Sequence, residues 1–229
     1  MPRKTKALVT IGWLALLVGI LLHVIFSTAM NRNFYFYEYD KGNQAEVIGM
    51  SDEDLMKATD TLLDYLKDKR DDIRLEATVS GYEREVFNER ETLHMKDVKV
   101  LYQHASLARW ILLIAGAGIL IAEYFLNKGY NRIRLFRSGY HYALCFIGIF
   151  VGFILIWAVA DFYDFWMDFH YLFFDNDLFI LDPNTSIMIN MFPETFFSDL
   201  VLLIIAIYGS VLVVMELVMF FIQRKKVKA

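Results

Sequence analysis

Cysteine is almost absent from this 229-residue chain, proline occurs three times, and one long stretch, 161–199, carries no lysine or arginine. The single cysteine, Cys145, excludes an internal disulfide. It lies near the inner end of the third apolar run and reads as a small packing residue, not a nucleophile. No G-x-S-x-G elbow and no Gly-rich phosphate loop occurs, so neither a serine nucleophile of that kind nor a phosphate cradle is available. There is no H-E-x-x-H pattern, and His94, His104 and His170 lack ligand-like spacing, so no metal and no cofactor is expected.

What the chain has in excess is apolar surface. Its composition is 57% hydrophobic, too apolar for a soluble domain. Four windows, 7–29, 107–126, 142–160 and 200–222, are long enough to cross a hydrocarbon core, which takes roughly 20 helical residues. The segments between and beyond them sort by charge. Arg3, Lys4 and Lys6, then Lys128, Arg132, Arg134 and Arg137, then Arg224, Lys225, Lys226 and Lys228 stand in short segments free of acids. Positive charge is retained on the cytoplasmic side, which puts both termini inside. Those basic residues are the ones topology requires, so they give no support for nucleic-acid binding.

The expected fold is a membrane all-α bundle of four transmembrane helices with an extracellular α+β cap. It divides into a cytoplasmic start and first span (1–29), the cap (30–106), and the second and third spans joined by a basic cytoplasmic loop (107–160). An aromatic, acidic interfacial segment (161–199) and the fourth span with a basic tail (200–229) complete it.

In chain order, residues 1–6 and the first apolar run have the form of a signal peptide, with Ser27 and Ala29 before a cut. The run is longer than a typical signal core and reads as an uncleaved anchor. His23 in its outer part has two readings, one facing the external site and one bonded to a neighbouring helix. Residues 31–40, NRNFYFYEYD, alternate aromatics in the manner of a strand or an extended lid. Ser51 and Asp54 form a capping box for a helix whose apolar stripe is Leu55, Ala58, Leu62, Tyr65 and Leu66. Two short strands are expected in 74–79 and 82–87 around Ser80-Gly81. Asn88 then reads as the N-cap of a helix bearing Glu91, His94 and Asp97. With no proline or glycine before Gly116, this helix is expected to run straight into the second span, leaving His94 roughly four turns above it. Glu123 and Glu216 lie towards the inner side of their spans, either as a polar transport path or paired with the arginines of the inner loop.

The stretch 161–199 holds eight acids and nine phenylalanines, which suits the water boundary of a bilayer. If 161–168 continues the third helix, Asp161, Asp164 and Asp168 share one face, while His170 points to the other with Tyr163 and Trp166. Aromatic surroundings keep an imidazole neutral and therefore able to accept a proton. His94, with Asp97 one turn on, is a second candidate for proton transfer.

With ERETLHMKDV (89–98), FHYLFFDNDLFILDP (169–183) and MFPETFFSD (191–199) in view, the chain resembles the lipoprotein intramolecular transacylases of the Lit family, bacterial membrane proteins. The resemblance extends over nearly the whole chain. It implies two catalytic histidines where cap meets membrane, His94 and His170, and a His94 brought down to the bilayer edge. It implies a substrate as well: bacterial lipoproteins whose N-terminal cysteine bears an S-diacylglyceryl group, within a membrane of lipid. The reaction would move the sn-2 acyl chain from the glyceryl oxygen to the cysteine α-amine, giving the lyso form. One histidine accepts the amine proton and the other donates to the departing oxygen, with either order open. Asn176 is a donor or positioning group in this reading. Asp97 and Asp182 orient histidines, and Glu91 supports the same motif. Phe173, Phe174, Phe196, Phe197 and Trp166 either confine the acyl chains or anchor the interface. A competing reading is a non-enzymatic membrane receptor or assembly factor that binds lipid or a partner through this aromatic rim. Histidines far apart would favour it.

Overall fold

The computed structural model describes residues 3–128 and 132–227, so Lys228 of the basic tail lies outside the described residues. The elements are α1 (Arg3–Ala29), α2 (Arg32–Gly42), α3 (Gln44–Ile48), α4 (Asp52–Leu66), β1 (Glu76–Val79), β2 (Tyr82–Glu85), α5 (Glu89–Leu126), α6 (Arg132–Ala160), α7 (Phe162–Phe173), α8 (Ile187–Met191) and α9 (Glu194–Val227). Among the described residues α1, α5, α6 and α9 are long and apolar enough to cross a membrane, as the four hydrophobic windows require.

The chain divides into two compact units. The first combines the chain up to Phe26 with Ala105–Trp157 and the part of α9 from Leu202. Its interior is small and tight: Leu17, Tyr140 and Tyr208 are fully buried. The Tyr208 hydroxyl donates to the Leu17 carbonyl at 3.0 Å, and Trp13 Nε1 donates to the Phe136 carbonyl at 3.1 Å. Outward-facing positions are apolar, with Ile114, Phe146, Ile149 and Ile156 all exposed. That inversion suits a surface solvated by lipid. Cys145 is exposed on α6 and not packed, and His23 is exposed on α1, so neither fills the interior. Glu216 pairs with His141 at 3.1 Å and approaches Arg137 at 4.0 Å. Glu123 receives the Asn127 amide at 2.7 Å instead of an arginine.

The second unit takes Ser27–His104 and Ala158–Val201. Its core gathers Tyr35 and Tyr39 of α2, Leu55, Leu62 and Leu63 of α4, Ile73, Val86 and Phe87, Met188 and Met191 of α8, and Phe196 of α9. The expected stripe of α4 is buried, and Ser51 Oγ accepts from Asp54 N at 3.0 Å at its start. The hairpin forms as expected, Val79 opposite Tyr82, with Ser80 at φ 52° and Gly81 at φ 85°. Two positive φ values in a row make the type I′ turn that matches strand twist.

Two expectations fail here. Residues 31–40 form neither strand nor extended lid but the helix α2, capped by the Asn31 side chain on Asn33 N at 3.1 Å. Phe34, Tyr35, Glu38 and Tyr39 are buried while Phe36 and Tyr37 are exposed, so the aromatic run is sorted with helical period. The Tyr39 hydroxyl then bonds Thr59 Oγ1 at 2.8 Å inside the core. The third long helix also stops earlier than the shared carboxylate face needs. α6 ends at Ala160, and Asp161 (φ −155°, ψ 98°) is the N-cap of a separate helix, α7, accepting from Asp164 N at 3.0 Å. An aspartate that can take an orphan helix N–H ends one helix and starts the next. By contrast α5 is unbroken from Glu89 to Leu126, as the lack of proline and glycine before Gly116 led one to expect.

Candidate active site

The site is built on the first turns of α5. The Asn88 side chain accepts from Glu91 N at 3.0 Å while Glu91 Oε2 accepts from Asn88 N at 2.6 Å, a reciprocal capping box. Glu91 is completely buried, and its other oxygen accepts from Ser186 Oγ at 2.5 Å and Met188 N at 2.8 Å. A carboxylate withdrawn from water needs such donors, and this one holds α5 to the start of α8.

One turn further along, His94 is 8% exposed. Its Nδ1 is buried without a hydrogen-bond partner. Burial, the neighbouring His170 and Arg90 all disfavour the imidazolium, against the opposing pull of Asp97, and push its pKa down to about 4. His170 comes from α7. Its Nδ1 lies 2.7 Å from the Trp166 carbonyl, an acceptor only, so Nδ1 carries the hydrogen and Nε2 keeps the lone pair. Burial lowers its pKa as well, with the bond to Trp166 pulling the other way.

The two rings lie 6.1 Å apart, centroid to centroid, tilted by 35°. Around them stand Phe174, 5.4 Å from His94 and 5.8 Å from His170, and Phe179, stacked on His170 at 4.8 Å. Trp166 meets His170 edge-on at 5.1 Å and stacks on Phe197 at 4.3 Å. The expected aromatic setting of His170 is present, with Trp166 in it, but Tyr163 is exposed and the closest ring is Phe179.

The remaining candidates separate. Asn176 donates from Nδ2 to Asp97 at 2.9 Å and accepts from Leu178 N at 3.0 Å. Asp97 therefore holds the segment after α7 and acts on His94 through space, not through a hydrogen bond. Asp182 accepts from the Asn184 backbone and side chain, each at 2.9 Å, which shapes a local turn. Phe196 belongs to the core of the unit with Phe34 and Tyr35, and Phe173 is exposed beside Phe169. His104 is exposed on α5, and among the described residues no group of His, Cys, Asp or Glu is placed to hold a metal.

Three participants escaped the sequence reading. Arg90 donates from Nε to the Ile180 carbonyl at 3.1 Å and from its terminal nitrogen to the Asp177 carbonyl, with the Asp177 carboxylate 3.2 Å away. Its signal was helical spacing, since positions 90, 94 and 97 fall on one stripe of α5. Phe179 and Ser186 had no comparable signal, because Phe179 sits in a turn without regular period and the Glu91 partner of Ser186 is 95 residues away.

The arrangement offers one imidazole with a free lone pair and a second held neutral, both among aromatic rings. Comparison with known proteins gives it a family. The model of the family described as lipoprotein intramolecular transacylase Lit matches residues 10–197. No curated protein matches the sequence. Among solved structures, the membrane integral lipoprotein intramolecular transacylase Lit from Bacillus cereus, determined in meso, superposes with a TM-score of 0.76 at 17% identity, covering 98% of this chain and 100% of that one. The same protein with a histidine-to-alanine mutation gives 0.65 at 20% identity, over 99% of this chain and 96% of that one. A histidine-to-arginine form gives 0.63 at 19% identity, over 98% and 94%. At these identities the structural likeness bears on the fold, and the match of the family model takes in the cap, both histidines and three of the four long helices. The chain belongs to the Lit family of lipoprotein intramolecular transacylases.

Proposed function

We propose that this acyltransferase moves the sn-2 acyl chain of an S-diacylglyceryl lipoprotein to the α-amine of its N-terminal cysteine, with His170 relaying the proton and His94 stabilising the developing charge. The observation that carries the reading is the 6.1 Å separation of two imidazoles that lie on different helices and share the Phe174 ring. It favours catalysis on one substrate over the receptor reading, which needed no such convergence.

The chemistry asks little of the protein beyond geometry and proton transfer. The nucleophile is an amine with a pKa near 8, partly unprotonated at neutral pH, and it sits in the same molecule as the ester. As the nitrogen attacks the ester carbonyl, His170 Nε2 takes its proton. The C–N bond forms, the glyceryl C–O bond breaks, and the departing oxygen receives a proton from the imidazolium. His94, kept neutral, offers an N–H to the oxygen on which charge develops. Holding amine and ester in a near-attack arrangement contributes several kcal/mol by analogy with effective molarities of about 10⁵ M. Phe174, Phe179 and Trp166 exclude water and give the acyl chains an apolar wall.

In this reading the site faces outward at the cell membrane, with both termini in the cytoplasm, because the acid-free basic segments flank the opposite ends of the spans. The test is mass spectrometry of lipopeptides from cells carrying His94→Ala or His170→Ala. Each variant is expected to insert and fold but to leave the diacylglyceryl form unconverted. Undiminished conversion by either removes that histidine from the mechanism.

A further inference from the structure

We propose that Arg90 is a positioning residue of the transacylase site, gripping the backbone on both sides of Phe179 so that this ring stays packed on His170. The proposal rests on the reading of His170 as the proton acceptor.

Residues 174–180, which follow α7, contain no helix or strand. Within them Ile180 N donates to the Asp177 carbonyl at 3.0 Å, closing a turn whose central residues are Leu178 and Phe179. A single turn of this kind, without a sheet or helix behind it, is held by what lies outside it. Arg90 supplies that hold. Its Nε reaches the Ile180 carbonyl and its terminal nitrogen the Asp177 carbonyl, the two ends of the turn. The planar guanidinium presents these donors in a fixed fork, which a lysine cannot copy. The Asp97–Asn176 bond ties the same segment to α5 from its other end.

The turn carries the aromatic ring that packs most closely on the proposed acceptor. Phe179 is 8% exposed and lies nearly parallel to His170, 27° between planes. It covers a face of the imidazole that would otherwise be wet, and desolvation is the largest influence on His170. Charged and titratable groups around the pair include Arg90, His94 and Asp97 on α5, Tyr171 on α7, edge-on to Phe179 at 5.2 Å, and Asp177 in the turn. Arg90 acts by its charge on His94, while desolvation leads for His170. Removing Phe179 with Arg90 kept in place therefore separates the packing of the ring from the charge of the guanidinium.

The experiment uses the full-length protein in micelles with isotope-labelled histidine, following the ring signals of His94 and His170 through a pH titration. In Arg90→Met the His170 midpoint is expected to rise towards the ordinary histidine value. Phe179→Ala, which keeps the arginine, is expected to produce the same rise, the double variant no more than either alone, and Arg90→Lys an intermediate one. In lipopeptide turnover kcat of Arg90→Met is expected to fall roughly 10-fold with KM nearly unchanged, since geometry at the reacting centre and not uniform binding is lost. An unmoved His170 midpoint overturns the proposal. So does movement of His94 alone, or additive shifts in the double variant. Should His170→Ala retain conversion, the reading of His170 as acceptor fails, while the titration still decides whether Arg90 holds the ring in place.

Discussion

Glu91 accepts a hydrogen bond from the Ser186 hydroxyl at 2.5 Å, and neither residue reaches solvent. With Met188 N and Asn88 N also donating, one carboxylate satisfies three donors from two distant stretches of chain. Glu91→Gln replaces an acceptor-only group with one that carries its own N–H pair, so at least one donor is left facing another. Removing one partner of a buried charged network costs about 2–4 kcal/mol. Thermal unfolding in micelles should show a clearly lowered midpoint, and Ser186→Ala a smaller drop. Wild-type stability for Glu91→Gln would show that the pocket accepts a neutral amide.

His94 gives the protein a pH-dependent stability of defined sign. Its folded pKa, about 4, lies below the ordinary value of about 6.5 that it regains on unfolding. Between those values the unfolded chain holds a proton that the folded one lacks, so stability falls as pH drops from about 6.5 towards 4 and levels off below. The full size is about 3 kcal/mol, of which about 2 kcal/mol falls between pH 7 and pH 5. Comparing the melting midpoint at pH 7 and pH 5 in wild type and His94→Ala measures it. A pH difference that survives the substitution belongs to other groups.

The same neutral histidines set the shape of the rate profile. Both pKa values are lowered, so the acidic limb of kcat/KM should lie below the range of an ordinary histidine. On the alkaline side the rate should climb until the substrate amine, with a pKa near 8, is fully deprotonated. A turnover series from pH 5 to pH 9 with a purified diacylglyceryl lipopeptide checks this. A midpoint at about 6.5 would mean that His170 is wetter than the aromatic rings around it suggest.

Sequence patterns conveyed this architecture unevenly, for physical reasons. The long apolar helices were legible because a hydrocarbon core demands length and composition. The caps at Ser51 and Asn88 and the Ser80-Gly81 turn were legible because they obey local rules within a few residues. The aromatic run at 31–40 misled, since tyrosine and phenylalanine favour strands until packing against α4 and Phe196 selects the helical face. Asp161 misled as well, because a carboxylate reads as a surface charge until its helix-capping bond is seen. At the site, His170 stood out by its aromatic neighbours and His94 by Asp97 one turn on, and the family resemblance joined them into one site. Arg90 and Ser186 act through contacts across many tens of residues, and Phe179 meets His170 across an irregular turn, so no local pattern encodes these roles.

The approach of α1 to α5 gives a last prediction, one independent of the chemistry. A Cβ added at Gly116 would meet Leu16 N at 2.7 Å, the Gly12 carbonyl at 2.8 Å and Leu16 Cα at 3.0 Å. All three are backbone atoms of α1, and backbone in a helix cannot rotate aside as a side-chain end can. In lipid, helix association draws on close van der Waals packing in place of the hydrophobic effect, so small residues at such crossings carry much of it. Gly116→Ala must push the two helices apart, and overpacking of this kind costs about 1–3 kcal/mol. Gly148 on α6 has nothing within 4 Å of its added Cβ. There alanine brings only its better helix propensity, worth at most about 1 kcal/mol in the stabilising direction. The pair should therefore move the thermal midpoint in opposite directions, with Gly116→Ala lower and Gly148→Ala level or higher. Equal midpoints would mean that α1 and α5 can separate at this crossing without loss.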